Sequence, residues 1–361
     1  MAKYNVRITD TSLRDGSHAI RHQFTVDQIT RAVKMLDEAR VPVIEVTHGD
    51  GLAGSSVNYG FSGTDELALI EAAAATAKRA KIAVLLLPGI GTIHDLKEAQ
   101  KRGAKMVRIA THCTEADISA QHIAATKELG MEAVTFLMMS HMIEPAELLE
   151  QAKLMESYGA DVVYVVDSAG AQTMDMVKAR VSALRQGLDP KTHVGFHAHN
   201  NLGLGVANAV VAVEAGADNI DGSARGLGAG AGNAATEAIV AVFNKMGFET
   251  GIDVYGVADL AEDFIGTELG LTPIVNRSSL ILGYAGVYSS FLLHADRASK
   301  KFGVPAHKIL EEVGHRKAVG GQEDLIIEVA QELAGKYESG VEEETDKAKI
   351  EVSLATAGSP T

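Results

Sequence analysis

Among 361 residues the sequence holds a single cysteine, Cys113. That excludes an intramolecular disulfide and a cysteine-rich zinc site, and it fits a reducing, cytoplasmic setting. Basic residues are also short: 33 Lys and Arg face 47 Asp and Glu, a net charge of −14. No local basic patch offsets this, so no nucleic acid and no membrane surface is expected as a partner. A charged small metabolite in a focused pocket stays open. Long apolar runs are missing as well. AVLLLPGI and VVYVV fall far below the roughly 20 residues of a membrane span, and MAKYNVRITD is too polar to read as a signal peptide. Proline is sparse, 7 residues against 36 glycines, and 46% of the chain is hydrophobic. This is the composition of a soluble globular protein with a large core.

What is present is a rhythm. Eight β-branched runs recur, each followed by a turn and a helical stretch: VRITDTS, VIEVTH, IAVLLLP, MVRIATH, AVTFLMMS, VVYVVDSAG, HVGFHAHN and NIDGSARG. Most lack the apolar/polar alternation of a half-exposed sheet, so they read as parallel strands covered on both faces. Eight such units predict an α/β fold, a TIM (β/α)8 barrel. A doubly wound open sheet is the alternative, but it would carry a Gly-rich turn after its first strand, and SLRDGSH stands there. Beyond Gly232 the segments AATEAIVAVFNKMG, ADLAEDFIG, SSLILGYAGVYSSFLLHADRASKKFG, HKILEEVG and EDLIIEVAQELAGK predict a C-terminal all-α extension. The domain reading is a barrel over 1–270, a helical extension over 271–341 and a flexible tail over 342–361.

Active sites of this fold sit just past the C-terminal ends of the strands. Arg14, Asp15 and His18 follow strand one; His197 and His199 end strand seven. Residues two apart on a strand share a side, so both histidines can face one divalent metal, with Asp15 reaching it across the barrel mouth. A helix-capping Asp15 and hydrogen-bonding histidines are the structural alternatives. His48, His112 and His141 also follow strands without paired spacing and read as structural or supporting. GLGAGAGN, Gly226 to Asn233, reads as a flexible rim loop near the substrate, and Cys113 as an inert packing residue. Tyr284 and Tyr288, four apart on an expected helix, share a face; spacing leaves core packing and a hydroxyl at the barrel mouth both open. No lysine ends any of the eight strands, which excludes Schiff-base chemistry and leaves a metal as the electron sink.

DTSLRDG and HAHNNLG resemble the DRE-TIM metallolyases, whose barrel binds a divalent metal through an Asp and two His. Claisen-type synthases of that superfamily usually read RDGEQ and HxHND where this chain has RDGSH and HNN. Hydroxymethylglutaryl-CoA lyases carry a catalytic cysteine in the glycine loop, and GLGAGAGN has none. RDGSHA, HAHNNLG, GLGAGAGN and GYAGVYSSF together are similar to the 4-hydroxy-2-oxovalerate aldolases over nearly the whole chain. That resemblance implies metal ligands at Asp15, His197 and His199, an enolate-stabilising Arg14, a base at His18 and a substrate-contacting Tyr288. Ser168 joins Arg14, His197 and Tyr288 among the expected substrate contacts, and a metal contact from Asn233 stays open. It further implies Mn2+, with Co2+ or Mg2+ as alternatives, a 4-hydroxy-2-oxo acid substrate from aromatic or steroid meta-cleavage catabolism, and an acylating acetaldehyde dehydrogenase as channelling partner. A Claisen-type condensing enzyme and a non-catalytic docking subunit are the competing readings.

Overall fold

The computed structural model describes residues 6–339. Its centre is a closed barrel of eight parallel strands in sequential order. The strands are β1 (Arg7–Leu13), β2 (Val43–Val46), β3 (Lys81–Leu86), β4 (Met106–His112), β5 (Glu132–Met138), β6 (Val162–Asp167), β7 (His193–Ala198) and β8 (Asn219–Gly222). Closure is made by β1 on β8, with Arg7 opposite Asn219 and Asp10 opposite Gly222. An open doubly wound sheet is thereby excluded. Seven helices lie between the strands and an eighth follows the last: α1 (Val26–Glu38), α2 (Glu66–Thr76), α3 (Ile93–Lys101), α4 (Ala120–Glu128), α5 (Pro145–Ser157), α6 (Met174–Gly187), α7 (Gly205–Glu214) and α8 (Thr236–Met246).

The strands are buried on both faces because each serves two cores. Outward residues such as Ile8, Ile44 and Val163 meet the helices. Inward residues such as Val43, Leu85, Phe136 and Tyr164 fill the barrel. In α1 the apolar residues Ile29, Ala32, Val33 and Leu36 fall at helical spacing and are buried, each large one contributing about 1.5–3 kcal/mol. A capping box starts the helix, with Thr25 accepting from the Gln28 N–H and Gln28 from the Thr25 N–H, a contribution of about 1 kcal/mol.

Two expectations about the helical region change. AATEAIVAVFNKMG is α8, and α9 (Val254–Asp259) with the π-helical turn Leu260–Glu268 packs Val257, Phe264 and Ile265 into the barrel's outer core. The separate helical core begins only with α10 (Arg277–Ala285), followed by α11 (Phe291–Phe302), α12 (Ala306–His315) and α13 (Glu323–Ser339) around Leu282, Phe291, Ile309 and Val329. The expected long helix through SSLILGYAGVYSSFLL is two helices, because Gly286 adopts φ +68° and ends α10, a left-handed cap that favours glycine. Tyr284 and Tyr288 consequently share no helix face: Tyr284 is 76% exposed, while Tyr288 sits in the loop after Gly286 and lines the barrel mouth. No described helix is long and apolar enough to cross a membrane. The expected tail, 342–361, lies outside the described residues.

Candidate active site

Strand one delivers Arg14 and Asp15 to the mouth of the barrel, and the short 3-10 turn Asp15–His18 carries His18 beside them. Strand seven delivers His197, and His199 follows, pinned by a bridge to Asn233. Oδ2 of Asp15 lies 3.7 Å from Nε2 of His197 and 3.7 Å from Nε2 of His199. All three side chains are buried. Those separations are too long for hydrogen bonds and suit three ligands around one divalent ion. Asp221 Oδ2 takes Nδ1 of His197 at 2.8 Å, which fixes the tautomer that turns the Nε2 lone pair toward Asp15. The buried Asn233 Oδ1 and His199 Nδ1 have no hydrogen-bond partner. The donor set therefore fits a catalytic metal with open positions.

A chain of buried charges frames these ligands. Arg14 donates from Nη1 to Asp15 and from Nε to Glu45, both at 2.8 Å. Glu45 Oε2 also meets Arg108 Nη1 at 2.8 Å, and Arg108 Nη2 donates to Asp221, which holds His197. The Arg108 guanidinium stacks on the Phe136 ring, 4.3 Å from its centroid. Pairing of this kind is what makes full burial of Arg108, Glu45 and Asp221 tolerable. Burial alone would raise the Asp15 carboxyl; Arg14 and then His199, His197 and His18 outweigh it and hold it far below the carboxylate range. Burial lowers His199 to about 4 despite Asp15, so it is a neutral imidazole ready for ligation.

An open cavity of about 480 Å³ lies over this group, walled by Leu85, Phe136, Ser168 and Tyr288 among others. His18 is half-buried there, its ring so close over Gly49 that an added Cβ would stand 2.5 Å from Nε2. Tyr288 donates from Oη to Met138 Sδ at 2.9 Å. Burial, with Asp50 and Asp15 adding to it against Arg14, raises the phenol so that it stays protonated. Ser168 faces the cavity, accepts the Met139 N–H at Oγ, and its carbonyl takes the Ser289 hydroxyl at 2.6 Å. A second cavity of about 1010 Å³ shares Asp50, Leu87, Met138 and Tyr288 with the first and runs between the barrel mouth and Gly320–Glu323 of the helical region. Neither cavity is lined by a lysine.

Several residues escaped the sequence reading. Glu45, Arg108 and Asp221 carried a usable signal, since charges inside apolar strands must find partners. Asn201 carried none: its Nδ2 donates to Ala169 O and Ser289 Oγ, and its Oδ1 accepts from Ala231 N. It thus ties the loop after strand six, the glycine loop and the helical region together. The glycine loop departs from the flexible rim expected of it. Its residues are nearly all buried, and its Ala229 N–H donates to Asp15 Oδ1 at 3.0 Å. His48 stacks on His22, His141 packs under Gly286 and His112 borders the second cavity. Burial pushes the Cys113 thiol up to about 12, which leaves it unreactive.

A family model described as HMGL-like matches residues 5–264, and one described as a DmpG-like communication domain matches 273–335. A 4-hydroxy-2-oxovalerate aldolase of Geobacillus thermodenitrificans is 62% identical over 92% of this chain and 96% of its own. Another, of Chloroflexus aggregans, is 59% identical over 94% of this chain and 98% of its own. The carboxyl transferase domain of Rhizobium etli pyruvate carboxylase superposes with a TM-score of 0.78 over 92% of this chain and 60% of that one at 16% identity, a likeness of fold.

Proposed function

The chain belongs to the 4-hydroxy-2-oxovalerate aldolase family, within the HMGL-like enzymes, and from that membership we propose that it cleaves 4-hydroxy-2-oxopentanoate and related 4-hydroxy-2-oxo acids to pyruvate and an aldehyde. The observation that carries the reading is the convergence of Asp15, His197 and His199 on one point beneath a cavity that also holds Arg14 and His18.

Retro-aldol cleavage needs a base for the C4 hydroxyl and a sink for the electrons of the C3–C4 bond. Asp15, His197 and His199 would hold a divalent ion, Mn2+ in our reading, which would supply Lewis acidity to the developing enolate. His18 takes the hydroxyl proton. As the C4–O bond becomes a carbonyl, the C3–C4 pair moves to C2 and its oxygen, and the aldehyde departs. Arg14, with Nε and Nη1 held by Glu45 and Asp15, offers its remaining donors to the oxygen that gathers charge. Tyr288 donates to the C4 oxygen, and Ser168 borders the substrate. A proton from solvent at C3 completes pyruvate, and His18 returns the hydroxyl proton to solvent.

We place the barrel domain over 1–270 and the partner-communicating helices over 271–341, a division supported by the two family models. The communication-domain match supports a channelling partnership with an aldehyde-processing enzyme, an acylating acetaldehyde dehydrogenase in our reading, and the second cavity supplies a route toward the helices. We place the enzyme in the cytoplasm, where its lone thiol would stay reduced.

The deciding assay is pyruvate release from 4-hydroxy-2-oxopentanoate. It should vanish with chelator, return with Mn2+ and resist borohydride added with pyruvate. Activity after exhaustive metal removal, or trapping on a lysine, refutes the metal mechanism. Co-expression and size-exclusion chromatography with the dehydrogenase test the partnership.

A further inference from the structure

Tyr288 reaches the cavity from the helical region, so its aim depends on how that region is fastened to the barrel. Contacts at both ends of the residue do this. The phenol Oη donates to Met138 Sδ at 2.9 Å. At the backbone end the next residue, Ser289, gives two donors to one barrel carbonyl: its N–H meets Ser168 O at 3.1 Å and its hydroxyl meets the same oxygen at 2.6 Å. The two ends converge on Ser168. Its Oγ accepts the Met139 N–H at 3.1 Å, and Met139 directly follows Met138 with a left-handed backbone, φ 56°, a strained conformation that collects at functional sites. Tyr288, Met138, Met139, Ser168 and Ser289 thus form a closed ring of contacts between the barrel and the helical region.

Asn201 braces this ring from behind. It is fully buried and lines neither cavity at the mouth, so it meets no substrate. Its neighbours settle how the amide lies: Oδ1 accepts the Ala231 N–H at 2.8 Å and Nδ2 donates to Ala169 O at 2.8 Å, and the reverse would set donor on donor and acceptor on acceptor. The second Nδ2 proton goes to Ser289 Oγ at 2.8 Å. With that lone pair engaged, the Ser289 hydroxyl directs its one proton to Ser168 O. The amide also has little room to turn. A Cβ added at Gly230 would stand 2.6 Å from Asn201 Oδ1, and one added at Gly170 would stand 3.1 Å from Asn201 Cβ. A buried, fully engaged hydrogen-bond chain of this kind specifies a single arrangement.

We propose that Asn201 is a positioning residue for the cleavage step: through Ser289 it sets where Tyr288 presents its hydroxyl to the C4 oxygen. This rests on the reading of Tyr288 as the donor to that oxygen. Asn201 itself makes and breaks no bond of the substrate. Its effect is confined to what Tyr288 touches, so steps without a C4 oxygen are spared. Exchange of the pyruvate methyl protons is such a step, served by the metal ligands and Arg14 alone. A loss of aim that is felt as C4–O becomes a carbonyl lowers kcat and kcat/KM together and leaves KM nearly as it was.

The test compares Asn201→Ala and Ser289→Ala, each alone and each combined with Tyr288→Phe, in the Mn2+-loaded full chain. Ser289→Ala removes one hydroxyl and leaves Asn201 its bonds to Ala169 and Ala231, so it carries the test if Asn201→Ala folds poorly. Alone, each should lower kcat for pyruvate release on the order of 10-fold, as a displacement well under an ångström would. Mn2+ affinity and methyl exchange followed by NMR should stay within about twofold of the parent. Added to Tyr288→Phe, each should cost less than about twofold more, because the group it positions is already gone. An equal loss in both backgrounds, or one that extends as far to exchange, makes the role general support of the fold and overturns the proposal. So does an unchanged kcat in Ser289→Ala. If Tyr288→Phe cleaves at the parental rate, the role of Tyr288 falls and this proposal with it. If the parent releases no pyruvate, the aldolase reading itself fails and takes the proposal along.

Discussion

Asp221 Oδ2 and His197 Nδ1 meet at 2.8 Å below the barrel mouth, and both side chains are buried. The contact decides which ring nitrogen His197 turns toward Asp15. Asp221→Asn should therefore lower Mn2+ affinity roughly 10–100-fold, read by isothermal titration calorimetry on the folded variant. Unchanged affinity would show that the tautomer is set elsewhere.

Arg108 is an interior link of the same charge chain, fully buried between Glu45 and Asp221. Arg108→Met leaves two buried carboxylates short of a partner and should cost about 3–5 kcal/mol in urea unfolding. Arg102 pairs at 2.6 Å with Glu71 on the surface, and Arg102→Met should cost no more than about 1 kcal/mol. Equal losses would mean that the buried chain contributes no more than a surface pair.

His18 and Arg14 should separate kinetically. His18→Ala removes the base for the C4 hydroxyl and should slow cleavage on the order of 100-fold or more while sparing pyruvate methyl exchange. Arg14→Ala removes charge stabilisation common to both steps and should damage both. NMR of pyruvate in deuterated buffer makes the comparison; complete loss of exchange in the His18 variant contradicts the assignment.

Gly286→Ala should act on Tyr288 from a distance. The residue has φ +68°, and an added Cβ would stand 2.8 Å from His141 Nε2. The left-handed backbone alone costs about 1–2 kcal/mol for alanine. Because the loop that follows carries Tyr288, kcat should fall while Mn2+ affinity holds. A fall in metal affinity would place the damage in the barrel instead.

Acid should loosen this same junction. Burial, and more weakly Arg180 and His112, lower His141 from 6.5 to about 4 against the opposing Gly286 carbonyl. Between those pH values the unfolded chain binds the extra proton, so stability is full above about 6.5 and declines as pH falls toward 4. The decline attributable to His141 should be of order 1–3 kcal/mol. Urea midpoints at pH 7 and pH 5 measure it, and His141→Gln should flatten the slope; an unaltered slope assigns the effect to other groups.

The sequence by itself determined the eight strands, their parallel sense and the HxH pair on strand seven. Each is a matter of local periodicity: a strand covered on both faces has to be mostly apolar without alternation, and residues two apart share a side whatever surrounds them. It also placed Arg14, Asp15 and His18 at the mouth, because chain order relative to a strand end is enough in this fold. Only the tertiary structure decided what the interior charges do. Glu45, Arg108 and Asp221 come from β2, β4 and β8 and meet only once the barrel closes. The same holds for Asn201, whose partners come from the loop after strand six, the glycine loop and the helical region. Tyr284 and Tyr288 were indistinguishable by spacing, and a single left-handed glycine between them sent one to solvent and the other to the site. Periodicity is a property of neighbours along the chain; pairing across a closed barrel depends on distances that exist only after folding.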